Sequence, residues 1–279
     1  MKKLFALCMM LVMAVGLLAG CGGGGGQKPN AQPQQPPKKE EAKAIVLGLD
    51  DNFPPMGFVD DKNKIVGFDI DLATEAAKRL GTKVEFKPID WASKEAELKS
   101  GRVDMLWNGL DITEKRKENI LFSDPYMNNR FIIFRGAGKN ADIVDEASLA
   151  GKIVATQSGG GTIEEYLDGK PDLTKSFKEF KKYQDYLSAF MDLENGRIDA
   201  VVCDEIIGRY YMSKHPKKIE AVDVTVGPSA QFGVGFRKDD KALRDKVQKV
   251  LDEMRKDGTM AKISEKWFAA DITKLDGKK

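Results

Sequence analysis

Two stretches of seven residues constrain this chain more than anything else in it. Leu98-Lys99-Ser100-Gly101-Arg102-Val103-Asp104 returns as Leu193-Glu194-Asn195-Gly196-Arg197-Ile198-Asp199. In each copy a helical segment stops at glycine, and a strand enters through arginine, an apolar residue and aspartate. Short apolar runs alternate with amphipathic segments around both copies. In the first series Ile45 to Leu49, Val84 to Phe86 and Val103 to Trp107 read as strands. Between them lie helices at Asp69 to Leu80, with Gly81 as its stop, and around Lys94 to Leu98. In the second, strands are expected at Ile153 to Ala155, Phe177 to Phe180 and Ile198 to Val202. Thr162 to Leu167 reads as a helix, and Tyr186, Ala189, Phe190 and Leu193 mark another helix face. Alternating strands and helices imply βαβ units and mainly parallel sheets. The same heptad at equivalent places in two series implies two related α/β lobes. The tail returns to helices, Lys241 to Lys256 and a shorter one ending at Trp267-Phe268, with Gly258 between them.

The chain before Ala44 follows none of this. Lys2 and Lys3 precede an apolar run from Leu4 to Ala19 that ends in Leu18-Ala19-Gly20-Cys21. A basic start, an apolar middle and a small-residue end describe a secretory signal peptide over residues 1–20. The run is short for a membrane span and no basic cluster directly follows it. Its ending resembles the bacterial lipobox, which implies a diacylated Cys21 as the mature N-terminus; a plain cleaved signal is the alternative. Residues 21–43, rich in glycine, proline, glutamine and charge, cannot bury a core and read as a tether. Of the three cysteines, Cys8 leaves with the signal and Cys21 takes lipid, so Cys203 has no disulfide partner within the chain.

Charge excludes other classes. Lys and Arg number 45 against 43 Asp and Glu, and most alternate in sign, which is not the surface of a nucleic-acid-binding protein. The single histidine, His215, has no cysteine or carboxylate at metal-ligand spacing, so no metal, no cofactor and no histidine base is expected.

Three motifs in order carry a resemblance. They are Gly67-Phe68-Asp69-Ile70-Asp71-Leu72, then Ile112-Thr113-Glu114-Lys115-Arg116-Lys117 with Phe122-Ser123-Asp124-Pro125-Tyr126, and Gly258-Thr259 before Lys266-Trp267-Phe268. With these the globular part resembles the polar amino-acid-binding proteins of ABC importers. The resemblance implies an α/β, two-lobed, periplasmic-binding-protein-like (type II) fold, with lobe one at 44–128 and 230–279 and lobe two at 129–229. It implies crossings near Tyr126 to Asn129 and Gly227 to Ser229, and ligand between lobes that close as on a hinge. An amino acid as ligand, an ABC permease and ATPase as partners, and a monomer lipid-anchored on the extracytoplasmic face complete what it implies.

An amino acid needs partners for its carboxylate, ammonium and side chain. By the resemblance Arg116 is the carboxylate clamp, beside a helix start that Thr113 can cap. Gly161, within Gln157-Ser158-Gly159-Gly160-Gly161-Thr162, would meet the same carboxylate from lobe two; the glycine run suits an anion nest and equally a simple turn. Asp204 falls where the family holds its ammonium, and in Asn108-Gly109-Leu110-Asp111 backbone carbonyls and Asp111 could add to that site. Many relatives carry serine or threonine in place of Asp111. Phe53 and Trp91 would wall the side-chain pocket with Asp50 at its rim, and the carboxylates at Asp50, Asp51 and Asp111 favour a polar or cationic ligand.

Two other readings compete. Some relatives on this scaffold resemble cyclohexadienyl or arogenate dehydratases, where a pocket carboxyl such as Asp111 would act as general acid; capture of a zwitterion by Arg116 and Asp204 argues for no catalytic residues at all. A sensing ectodomain would need a signalling segment behind the binding domain, and the sequence ends at Lys279.

Overall fold

The computed structural model describes residues 43–275. The expected signal segment, Cys21 and nearly all of the tether lie outside the described residues.

Each heptad does the same job in its own sheet. Gly101 and Gly196 adopt left-handed backbones, with φ of 75° and 71°. They end the helices Lys94–Lys99 and Tyr186–Glu194, as glycine commonly does. The aspartate that follows then clamps the first strand of its series. Asp104 accepts the Val46 N–H at 2.9 Å and donates its own N–H to the Val46 carbonyl at 2.7 Å. Asp199 repeats this on Ile153, at 2.8 and 2.9 Å. Even the arginine is reused: Arg102 reaches back to Glu97 and Arg197 to Asp192.

The two sheets share one strand order. In the first, Val84–Pro88, Ile45–Leu49 and Met105–Leu106 run parallel, followed by Gly235–Arg237 and Ile120–Phe122. In the second, Glu179–Tyr183, Ile153–Gln157 and Ala200–Asp204 run parallel, followed by Phe131–Gly136 and Ile219–Val222. The fourth strand of each is antiparallel to both neighbours. In each lobe it is also the strand the chain makes immediately after crossing from the other. The crossings are Met127–Asn129 and Ala230–Phe232, which pair antiparallel with Ala230 opposite Asn129. The second crossing strand thus starts just past the stretch expected from sequence. Because Gly235–Arg237 returns to the first sheet, lobe one is discontinuous, and two paired strands form the hinge.

Apolar packing follows the sequence faces. Leu47, Leu49, Leu72, Ala73 and Ala76 are buried in lobe one, and Phe131, Ile133, Val154, Ala200 and Val202 in lobe two. A fully buried large apolar side chain stabilises by roughly 1.5–3 kcal/mol. Helix Lys241–Lys256 is capped by Asp240, which accepts the Leu243 N–H, and buries Val247, Val250, Leu251 and Met254.

Several expected bounds are corrected. Only Met105–Leu106 of 103–107 pairs as a strand, because the chain turns away beyond Trp107. The second strand of lobe two is Glu179–Tyr183, since an unforeseen helix, Pro171–Ser176, takes Phe177 as its cap. The third is Ala200–Asp204, so Asp204 closes that strand and helix Glu205–Lys214 begins at the next residue. A small sheet of Asn52–Phe53, Gly57–Val59 and Ile65–Val66 is also unforeseen, its strands being too short to show alternation. It packs closely on the start of helix Phe68–Arg79. At Gly67, where φ is 148°, a Cβ would lie 2.2 Å from the Met56 carbonyl oxygen, so only glycine fits there.

Candidate functional site

In lobe one the loop beyond Met105–Leu106 is fixed from below. Gly109 turns with φ of 58°, a conformation glycine adopts at little cost. Its N–H donates to the Asp69 carboxylate at 2.7 Å. Asp69 also accepts the Tyr126 hydroxyl at 2.9 Å, and complete burial raises its pKa to about 7. Asp69, from the Gly-Phe-Asp motif, therefore ties a helix start, the loop and the entrance to the hinge together. Thr113 caps the one-turn helix Glu114–Lys117 by accepting the Arg116 N–H at 3.2 Å. The Arg116 side chain turns inward, 5% exposed. Its Nη1 donates to the Asp111 carbonyl and its Nη2 to the Gly160 carbonyl of lobe two, both at 2.8 Å.

Lobe two answers with Asp204 and the glycine turn. Asp204 is 6% exposed. Its pKa is raised to about 8, first by burial and then by the charge of Asp111. Burial likewise raises Asp111, against the opposing pull of Arg116. The expected anion nest is corrected in part. The Gly160 N–H is taken by Glu164 at 2.6 Å, and two carbonyls of the turn point at cations instead. Arg116 holds that of Gly160, and Lys94 that of Gly159 at 2.7 Å while also donating to the Trp91 carbonyl. Burial lowers the Lys94 pKa to about 8. Gln157 crosses the other way, donating from Nε2 to Asp50 at 2.7 Å and to the Gln184 carbonyl at 3.0 Å.

These groups surround a cavity of about 30 Å³ between the lobes. Phe53, Trp91, Gly109, Asp111, Arg116, Gln157, Gly161, Thr162 and Asp204 line it, joined by Phe131, Ile163 and Tyr186, which were not foreseen. Phe131 lies in a stretch given no element from sequence and begins the strand Phe131–Gly136, and Tyr186 reads as part of a packed helix face, so nothing local marks them. Asp50 stands at the rim, in a second cavity of about 310 Å³ with Asp51, Asp90, Asp185 and the shared Trp91. Asn108 lines neither; its side-chain Oδ1 accepts the Asp50 N–H at 3.1 Å. Asn129, on the hinge, is a further residue that sequence reasoning missed. Its Nδ2 donates to Asp111 at 3.0 Å and to Asp204 at 2.6 Å.

The sequence profile of the bacterial extracellular solute-binding proteins, family 3, matches residues 45–270. The chain belongs to this family. Its relatives include the L-cystine-binding protein TcyJ of Escherichia coli, 32% identical over 84% of this chain and 86% of that protein. The L-cystine-binding protein TcyA of Bacillus subtilis is 31% identical over 98% of this chain and all of its own length. Among solved structures, an ABC uptake transporter substrate-binding protein from Streptococcus pneumoniae with bound histidine superposes with a TM-score of 0.77 at 33% identity. That match covers 83% of this chain and 95% of the other. An ancestral arginine-binding protein bound to arginine gives 0.75 at 38% identity, over 81% and 98%. The two-lobed type II fold and the amino-acid-binding family expected from the motifs are borne out. No helix among the described residues of this family-3 protein is long and apolar enough to cross a membrane.

Proposed function

We propose that this family-3 protein captures a polar or cationic L-amino acid between its lobes and delivers it to the permease and ATPase of an ABC importer. It works as a monomer held on the extracytoplasmic face of the membrane by lipid on Cys21. The observation that carries the reading is the convergence of Arg116 from lobe one and Asp204 from lobe two on one cavity walled by aromatic rings. A guanidinium suits the ligand carboxylate and a carboxylate suits its ammonium. Phe53 and Tyr186, one from each lobe, have ring centroids 6.2 Å apart. With Trp91 they offer flat faces to an aliphatic or guanidinium side chain. Beyond Trp91 the rim cavity carries Asp50, Asp51, Asp90 and Asp185, which favours a side chain ending in a cation or a hydrogen-bond donor. The lobes meet closely around the inner cavity, so a ligand reaches it as they part and is enclosed as they close. The relatives named for cystine, arginine and histidine support this range of ligands.

A second reading has one observation behind it. A structural neighbour is an ancestral amino acid-binding protein described as a precursor of cyclohexadienyl dehydratase, with a TM-score of 0.74 and 31% identity. A buried Asp111 with a raised pKa is what a general acid requires. That neighbour is itself described as an amino acid-binding protein, and the pairing of Arg116 with Asp204 around one cavity supports binding as the better account.

The test is a thermal-shift screen of the common amino acids and cystine after unfolding and refolding to remove carried ligand. A ligand bound to the native state alone raises the melting temperature by mass action. Shifts from one or a few amino acids, lost in Arg116→Ala and Asp204→Ala, are expected. Silence from all of them, with release of an aromatic product from prephenate or arogenate, would move the assignment to the dehydratase.

A further inference from the structure

The two ends of strand Ile45–Leu49 carry opposite charge. Past its last residue lies the rim cavity, lined by carboxylates and no cation. At its first residue a groove of about 510 Å³ runs between helices Phe68–Arg79 and Lys241–Lys256. Lys43, Arg79, Lys246 and Lys249 line this groove against one carboxylate, Glu253. Arg79 is already held, by Glu75 at 2.9 Å and Asp257 at 2.8 Å. Among the described residues no carboxylate pairs with Lys43, Lys246 or Lys249, and all three are exposed. Other acids of the second helix are turned elsewhere, Asp245 to Arg244 and Asp252 to Arg255. Beneath the lysines, Ile45, Leu80, Leu243 and Val250 form an apolar floor. Unpaired ammonium groups over such a floor suit a surface that is anionic outside and hydrocarbon within.

We propose that this groove docks on the phosphate headgroups of anionic lipids and holds the domain on the bilayer with its ligand cleft turned outward. The described chain begins at Lys43, on the groove itself. Residues 21–42 reach at most about 75 Å, so the lipid placed on Cys21 above keeps the groove within that distance of the bilayer. Docking is then intramolecular, and contacts too weak to recruit a free protein suffice. Each lysine beside an anionic surface multiplies the docked population by roughly fivefold. The rim carboxylates stand one strand length further out, about 16 Å. That is beyond the screening length of about 8 Å in physiological salt, so they do not oppose this pose. The reverse pose would press them against the anionic surface. The proposal takes the anchor from the reading above and adds a second, electrostatic contact that orients the domain.

The experiment reconstitutes the full chain into vesicles of phosphatidylcholine, alone or with equimolar phosphatidylglycerol, and follows lysine acetylation by peptide mass spectrometry. Lys43, Lys246 and Lys249 are expected to react at least about threefold more slowly in the phosphatidylglycerol vesicles. Lys175 and Lys178, exposed on lobe two, should react alike in both. Molar salt removes the difference, because it shortens the screening length to about 3 Å. Lys246→Glu combined with Lys249→Glu returns Lys43 to its phosphatidylcholine rate and leaves amino-acid Kd unchanged. The milder pair Lys246→Gln and Lys249→Gln serves should the charge reversal not fold. Equal rates in the two vesicles, or slowing that survives both double substitutions, overturns the proposal. Equal slowing by inorganic phosphate in phosphatidylcholine alone also overturns it, since the groove would then hold soluble anions. The Cys21 peptide in the same digest reports its own acylation. An unmodified cysteine there sinks the anchor, while the lysine pattern still decides the groove.

Discussion

The two lobes are one design used twice, and they differ where the ligand would sit. Both sheets have the same strand order, both helices preceding the third strand stop at a left-handed glycine, and both heptad aspartates clamp the first strand. Five residues beyond that aspartate the equivalence ends in function: lobe one has Gly109 and lobe two has Asp204. Gly109 turns the chain into a loop that carries Asp111 and leads to Arg116, whereas Asp204 opens a helix at once. The shared frame is held by backbone geometry and local hydrogen bonds. What diverged is the short segment past the third strand, at the sheet edge where open α/β folds bind ligands. Lobe one supplies the guanidinium, Phe53 and Trp91; lobe two supplies Asp204, the glycine turn and Tyr186.

Substitutions can break this comparison at several strengths. The largest effect is expected at the divergent positions. Arg116→Ala and Asp204→Ala each remove one member of a buried charge arrangement, worth about 2–5 kcal/mol, so amino-acid Kd should rise at least about thirtyfold by calorimetry. A large loss from one and none from the other would mean that a single lobe holds the ligand.

Next come the equivalent positions. Asp104→Ala and Asp199→Ala each leave a strand N–H without its acceptor, at about 1–3 kcal/mol. For a chain of this size each should lower the melting temperature by a few to ~10 °C, and by similar amounts. Unequal drops would show that the repeated heptad is not equivalent in energy.

A smaller effect is the pH dependence of the unliganded protein. Asp69 and Asp204 have raised pKa values, about 7 and about 8, so the native state holds protons that the unfolded chain releases. Their contribution to stability is fully present below the ordinary carboxylate range and is lost as pH rises through 7 and 8. The melting temperature should fall over that window, and Asp69→Asn should flatten the part that ends near pH 7. A slope unchanged in this variant would remove Asp69 as a source.

The smallest effect is expected at Lys94, which ties Trp91 of lobe one to Gly159 of lobe two. Its hydrogen bonds in the closed form are offset by the cost of burying the charge. Lys94→Met should weaken amino-acid binding by about 1 kcal/mol, roughly fivefold, mostly through faster release in stopped-flow measurements. An unchanged release rate would mean that the contact adds nothing to closure.

Much of the frame is legible because its signals are local. A glycine stop, a capping threonine, an aspartate at a strand entrance and an apolar helix face act over a few residues, and each leaves its pattern in the sequence. Arg116 falls within a motif, Asp204, Phe53 and Trp91 fall where the family resemblance implies site residues, and all four line one cavity. The Asn108 side chain, by contrast, is turned toward the Asp50 backbone, a contact that no local pattern announces.

Read alone, then, the chain specifies two related α/β lobes and the residue types available for a charged ligand, while the discontinuous first lobe comes from the family resemblance. Which of those residues meet is settled only by the docked lobes. Phe131, Tyr186, Lys94 and Asn129 look like ordinary strand, core, surface and turn residues along the chain, because periodicity reports which face is buried and not what lies opposite. Asp50 finds Gln157, Arg116 finds Gly160 and Asn129 joins Asp111 to Asp204 only when the hinge brings together segments separated by up to 107 residues. Such contacts are set by how two rigid lobes dock, and no local pattern encodes that distance.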